Sequence, residues 1–222
     1  IFVLVKITYS NSELQDTRFP DYNFYKCIVD TVGKDAVNSN GTIKDEYLLN
    51  LTSLTCSTKE INSVKGLELL TNLTFLDIRH NNISEIDVTK NTKLEKLSVY
   101  TNKLTSIDVS NNPNLIYLNI RSNNISEIVV SNQPKLEELY VAQNKLTSID
   151  VTQNTKLEKL SVSENKLTSI DVSKNSNLIY LDIHSNNISE IDVSNQPKLE
   201  QLGVFQNKLT SIDVSKNPEL KM

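Results

Sequence analysis

Tryptophan is missing from this chain of 222 residues, and the remaining aromatics amount to 8 Tyr and 5 Phe. With so few, their positions carry more information than their number. A Lys/Arg cluster is missing too. The formal net charge is −4 and the pI is near 5.3, so a surface tracking a nucleic-acid backbone has no electrostatic support. No stretch approaches the roughly 18 apolar residues of a membrane span, and no membrane insertion is expected from this segment. Two cysteines, Cys27 and Cys56, do not make a disulfide scaffold and identify no compartment.

What the chain has in abundance is a spacing. From Leu73 the pattern reads Leu-x-x-Leu-x-Ile-x-x-Asn-x-Ile-x-x-Ile-x-Val-x-x-Asn, and it restarts at Leu94, Leu115, Leu136, Leu157, Leu178 and Leu199, always after 21 residues. A period of this length indicates a solenoid, in which each layer packs only on its neighbours. The inward set of the first regular layer is Leu73, Leu76, Ile78, Asn81, Ile83, Ile86 and Val88. A first strand is expected around each Leu-x-Leu/Ile/Val core. The later Ser84–Val88 stretch alternates with period two and is rich in β-branched residues, so a second short strand is expected there, giving parallel ladders on two faces with few or no convex helices.

The front of the chain differs. Residues 1–18 are an unassigned lead-in. Its Ile1-Phe-Val-Leu-Val5 start reads either as the tail of a signal peptide or as a simple edge segment. Residues 19–50 read as a helical cap: an amphipathic helix over Phe19–Val32 stopped by Gly33, a turn over Ser39–Thr42, and a second short helix through Ile43, Tyr47 and Leu48. Such a cap covers the apolar interior of the first layer. Repeats then occupy 51–219, one of 22 residues followed by seven of 21, and 220–222 begin another. In the first repeat, Val64, Leu67 and Leu70 have the three-residue step of a helical turn.

Two polar columns run along the repeats. Asn81, Asn102, Asn123, Asn144, Asn165, Asn186 and Asn207 are short amides that satisfy backbone groups where the chain leaves strand geometry. Asp87, Asp108, Asp150, Asp171, Asp192 and Asp213 are read as caps of local turns, with Val129 interrupting the row. Calcium bridging is the weaker reading, because one ligand per layer falls short of the six to eight oxygens the ion takes. Formal glycosylation sequons stand at Asn40, Asn50, Asn72, Asn82, Asn124 and Asn187, and three of them recur merely because the repeat does.

Leu94-Glu-Lys-Leu97-Ser-Val99-Tyr-Thr-Asn102-Lys-Leu104 resembles the leucine-rich repeat signature. The unit with Leu104-Thr-Ser-Ile-Asp-Val-Ser110 is similar to the short 21-residue class found in bacterial, internalin-like surface proteins. That resemblance implies a leucine-rich repeat solenoid on a secreted or cell-surface protein. A subclass of the family carries a column of cysteines at the Ile78 position. Here only Cys56 occupies that column, and the ladder is absent. Cys27 and Cys56 are read as two separate buried thiols, since cysteine packs as a small hydrophobe; a disulfide in the cap is the alternative.

Function is sought among the outward residues of the first strand. They form three columns, and six of their members are aromatic: Phe75, Tyr100, Tyr117, Tyr140, Tyr180 and Phe205. Arg79, Arg121 and His184 stand among them. These nine are the candidate ligand-binding residues, suited to a protein or glycan on a host or cell surface. Cross-strand packing on an exposed sheet is the competing account of the aromatics. Catalytic residues, metal ligands and cofactors are not assigned. His80 and His184 lie five layers apart, roughly 24 Å at the strand spacing of a ladder, and cannot share one site. A non-catalytic binding module is thus expected, against the alternatives of a structural spacer or the accessory region of a larger enzyme.

Overall fold

A computed structural model of the chain describes residues 14–221. The Ile1–Val5 segment lies outside the described residues. The cap consists of helix α1 (Tyr22–Val32) and helix α2 (Asp45–Asn50). Asp21 starts α1 by accepting a hydrogen bond from the Phe24 amide at 3.1 Å, and Gly33, at φ 88°, ends it with its own N–H on the Val29 carbonyl. Phe19, three residues before α1, is completely buried. Its ring lies where a Cβ on Gly66 would stand, and Gly66 itself sits at φ 100°, so that position requires glycine twice over.

The last residues of the lead-in, 14–18, are tied into the cap. Asp16 is buried, and its carboxylate accepts from the Ile43 amide at 2.9 Å and from Arg18 Nε at 3.0 Å. Arg18 extends to Asp45 at the start of α2. Burial alone would raise the Asp16 pKa, but the Arg18 and Ile43 hydrogen bonds outweigh it and hold the carboxyl below its ordinary value.

Eight three-residue strands follow: β1 (Ser53–Thr55), β2 (Phe75–Asp77), β3 (Lys96–Ser98), β4 (Tyr117–Asn119), β5 (Glu138–Tyr140), β6 (Lys159–Ser161), β7 (Tyr180–Asp182) and β8 (Gln201–Gly203). They form one parallel sheet in chain order. The register never slips: Leu54, Leu76, Leu97, Leu118, Leu139, Leu160, Leu181 and Leu202 sit beside one another. The first seven of these leucines are fully buried, each contributing on the order of 2 kcal/mol by leaving water. The helical turn expected in the first repeat is a 3-10 turn over Leu67–Leu69.

Turn satisfaction by the asparagine column works as the sequence implies. Asn123 Nδ2 donates to the Ile120 carbonyl of its own layer at 3.0 Å and to the Val99 carbonyl of the layer before at 3.1 Å. Its Oδ1 accepts from the Leu104 amide at 3.0 Å. One residue earlier, every regular layer passes through a positive φ, from His80 at 53° to Gln206 at 53°. These are non-glycine residues in a region that L-amino acids seldom enter. The amide clamp beside each is what holds them there.

Two expectations need correction. The solenoid with few helices is present, but the second ladder is not: among the described residues there is one sheet, and the Ser84–Val88 stretch and its equivalents carry no strand. On that side neighbouring layers share a backbone bond such as Lys145 N–H to the Ile125 carbonyl, 2.8 Å. Alternation reports an extended chain with one side buried, and Val88 is indeed buried while Asp87 is exposed. Pairing further requires layers to approach within about 4.8 Å on that side, which a repeat does not encode in its own residues. The second correction is that Cys27 and Cys56 are joined in a disulfide, with Cα atoms 5.8 Å apart. Burial of both residues agrees with their packing as hydrophobes. Their proximity follows from α1 lying against β1, a tertiary contact across 29 residues of chain.

A second amide row went unread. Asn91, Asn112, Gln133, Asn154, Asn175, Gln196 and Asn217 close each repeat and are buried. Asn112 Nδ2 donates to the Val88 carbonyl at 3.1 Å and to the Asn91 carbonyl at 2.9 Å. The seven side-chain oxygens meet no donor from the protein. The signal was present as the last Asn of the repeating pattern.

Candidate ligand-binding face

Strand alternation places residue one and residue three of each strand on the outer face of the sheet, with the residue two further on continuing the row. Because register is exact, outward residues of neighbouring layers stand side by side. Phe75 begins the row on β2 and is half-buried. Arg79 and Tyr100 are joined: Arg79 Nη1 donates to the Tyr100 hydroxyl at 3.1 Å, and its guanidinium lies 5.6 Å from the ring centroid. Asp77, 3.4 Å away, and then Tyr100 raise the Arg79 pKa further. His80, not among the candidates, packs edge-on against Tyr100 with centroids 5.0 Å apart.

Tyr117 on β4 and Tyr140 on β5 meet at 5.7 Å between centroids. Tyr140 donates to Glu138 Oε2 at 2.8 Å, and Asn119 Nδ2 donates to the Tyr117 hydroxyl at 3.1 Å. Tyr180 on β7 donates to Asp182 Oδ2 at 3.3 Å. Burial is the first cause that pushes all three phenols up in pKa; for Tyr140 the Glu138 carboxylate adds to it, and for Tyr180 the Asp182 carboxylate does. The Arg121 charge, three layers from Tyr180, acts on that phenol in the opposite direction. His184 Nδ1 is 2.6 Å from Asp182 Oδ1, and its ring stacks on Phe205 at 4.4 Å and 8°. Phe205 is 61% exposed, the most open of the six aromatics.

The nine candidates therefore do not form one cluster. Phe75, Arg79 and Tyr100 lie toward the cap. Tyr117, Arg121, Tyr140, Tyr180 and His184 surround a depression of about 450 Å³, and Phe205 stands beyond it. The depression exists because the layer between its walls, and the end of the Tyr140 row, carry small side chains. Ala142, Ser161 and Ser163 form its floor, all less than a tenth exposed although they point outward. Glu138, Glu164 and Asp182 line it as well. Sequence reasoning passed over these six. The readable signal was the change from large to small residues within the same columns, next to the tyrosines.

A larger hollow of about 720 Å³ lies on the other side of the solenoid, along Val64, Lys65, Glu85 and Ile86. Its lining carries no aromatic side chain and mixes charges of both signs. Among the described residues no group of three or more His, Cys, Asp and Glu could hold a metal ion, and no helix is long and apolar enough to cross a membrane.

Residues 71–112 and 134–175 match the family described as Leucine Rich repeats (2 copies), and residues 111–127 match a single Leucine Rich repeat. Internalin J of Listeria monocytogenes serotype 4b (strain F2365) is 39% identical over 74 residues, which is 33% of this chain and 8% of that protein. A solved functional domain of InlJ from Listeria monocytogenes, which includes a cysteine ladder, is 31% identical, with a TM-score of 0.58 over 91% of this chain and 54% of the other. An internalin (inlF) from the same species is 25% identical, with a TM-score of 0.70 over 92% of this chain and 75% of its own. Internalin C2, 20% identical with a TM-score of 0.79 over 91% and 92%, shares the fold. The chain spans 54% of the solved InlJ domain and 8% of the curated internalin.

Repeat, register and likeness together make this chain a leucine-rich repeat protein. More narrowly, it is an internalin-like leucine-rich repeat protein of bacterial type. No cysteine column runs along its own repeats: Cys56 is followed at the equivalent positions by Ile78, Val99, Ile120 and Val141, and its sulfur is bonded to the cap.

Proposed function

We propose that the chain is the non-catalytic binding module of a secreted or cell-surface bacterial protein, recognising a protein partner through the outer face of its sheet. The observation that carries this reading is the depression walled by Tyr117, Tyr140 and Tyr180 on a sheet of fixed register. Rigid aromatics around a concave floor are the usual anchors of protein recognition, presented at low entropy cost. The Cys27–Cys56 disulfide supports an oxidising compartment and hence export. Repeats of this family on internalins support a protein as the partner class. The test is an array of cell-surface protein ectodomains, run beside a glycan array, with the wild-type chain and the Tyr117→Ala/Tyr140→Ala variant. A protein bound by the first and at least tenfold less by the second, about 1.4 kcal/mol, is the expected result. Undiminished binding by the variant would remove the sheet face from the reading, no binding at all would favour a spacer, and sugars alone would replace the protein by a glycan.

A further inference from the structure

The depression's lining specifies what a partner presents to it. Its volume of about 450 Å³ falls within the range of small-ligand sites, roughly 300–1,000 Å³. Tyr117 and Tyr140 wall one side; Tyr180 and His184 wall the other. Between these walls acceptors exceed donors. The Tyr140 and Tyr180 hydroxyls donate to Glu138 and Asp182, and each carboxylate retains further lone pairs for a ligand. Glu164 supplies a third carboxylate. His184 Nδ1 already lies 2.6 Å from Asp182 Oδ1, and two cations answer the three acids. Arg121 turns its Nε to Gln143 Oε1 at 3.2 Å, and Lys159 Nζ approaches Glu138 Oε1 at 3.2 Å.

The floor gives a second, independent indication. Ser161 and Ser163 are 7% and 3% exposed, and their Oγ atoms are 3.4 Å apart. Two hydroxyls hold two protons, and one bond between them uses one. The pair therefore keeps hydrogen-bonding capacity at the bottom of the pit. Asp182 is also given room: a Cβ on Gly203 would stand 2.5 Å from its Oδ1.

We infer that this depression receives an arginine side chain of the protein partner, its guanidinium lying against the tyrosine walls and donating to Glu138 and Asp182. The inference rests on the sheet-face reading above. A guanidinium is flat, carries five N–H donors in a rigid fork and stacks on aromatic faces, so it meets walls and acceptors together. An aliphatic side chain would leave the remaining lone pairs of the carboxylates unused, and a carboxylate or phosphate would be repelled by them.

The experiment follows the Ala142 methyl resonance by NMR in the whole chain, titrated with Nα-acetyl-arginine amide and with its neutral counterpart, Nα-acetyl-citrulline amide. The arginine probe is expected to shift the methyl at millimolar concentration and to bind about fivefold more tightly than citrulline. That preference is expected to vanish in Glu138→Gln/Asp182→Asn, a near-isosteric pair whose melting curve is checked against the wild type. Equal shifts from both probes, an unmoved methyl, or a preference that survives the double variant would each overturn the inference. An array protein that depends on Tyr117 and Tyr140, with the methyl unmoved by arginine, removes the arginine pocket and keeps the sheet face. A docked arginine probe with no tyrosine-dependent array protein does the reverse.

Discussion

Each layer has two sides, and they treat their outward residues in opposite ways. On the far side the layers repeat nearly the same residues, and each Asp is consumed by its own turn: the Asp150 carboxylate accepts from the Thr152 amide at 2.9 Å and from its hydroxyl at 2.7 Å. On the strand side the same scaffold carries Tyr, Arg, Glu, Ser, Ala and His at equivalent positions. Backbone pairing already fixes that side, so the fold asks little of its outer side chains. A repeated scaffold thus separates what folding requires from what it leaves free, and the free residues are those that build the depression.

The largest change is expected where the two sides join. Asn123→Ala removes four hydrogen bonds and leaves the Leu104 amide unpaired, while the Val99 and Ile120 carbonyls keep a bond from Asn102 and Asn144; urea melts should show a loss of roughly 4 kcal/mol. Next comes the cap. Reducing Cys27–Cys56, which closes 29 residues of chain, should cost between about 3 and 4 kcal/mol, read by denaturation with and without reductant. A loss confined to α1 in hydrogen exchange, with the strands still protected, would sharpen the separation of cap from repeats.

Smaller effects test the sides themselves. Tyr117→Ala/Tyr140→Ala removes one ring pair, so stability should fall by about 1 kcal/mol while partner binding is lost. A collapse of the melting temperature in that variant would mean that the tyrosines are there to pack. Asp150→Ala on the far side should lower the melting temperature slightly and leave binding unchanged.

Acid should act on the far side and, through Asp16, on the cap. Hydrogen bonds from Thr89, Ser110, Thr152, Ser173, Ser194 and Ser215 hold Asp87, Asp108, Asp150, Asp171, Asp192 and Asp213 below the ordinary value of 3.8. A depressed folded pKa stabilises above the unfolded value and is lost as pH falls through the folded one. The melting temperature should therefore hold down to pH ~4 and decline below it, and the decline should shrink when Asp87, Asp150 and Asp171 are replaced by Asn.

Much of this was legible. The 21-residue period gave the layers, the buried leucines and the clamping role of Asn123 and its column, because each is a local or nearest-layer relation repeated until it is unmistakable. The six aromatics were legible as outward residues. Their grouping was not, since Tyr117, Tyr140 and Tyr180 enclose a space only by virtue of the small Ala142, Ser161 and Ser163 between them. Absence of bulk is a weak signal in a sequence and a decisive one in a surface.

By itself, then, the sequence determined the solenoid: which residues face inward, where each turn is clamped and which acids cap the far side. All of these depend on contacts within a layer or with the next, at separations near 21 residues. The tertiary structure alone decided the joining of Cys27 to Cys56, the want of a second ladder and the depression on the sheet. Those depend on how closely separate elements approach, a distance that the residues of one repeat do not specify.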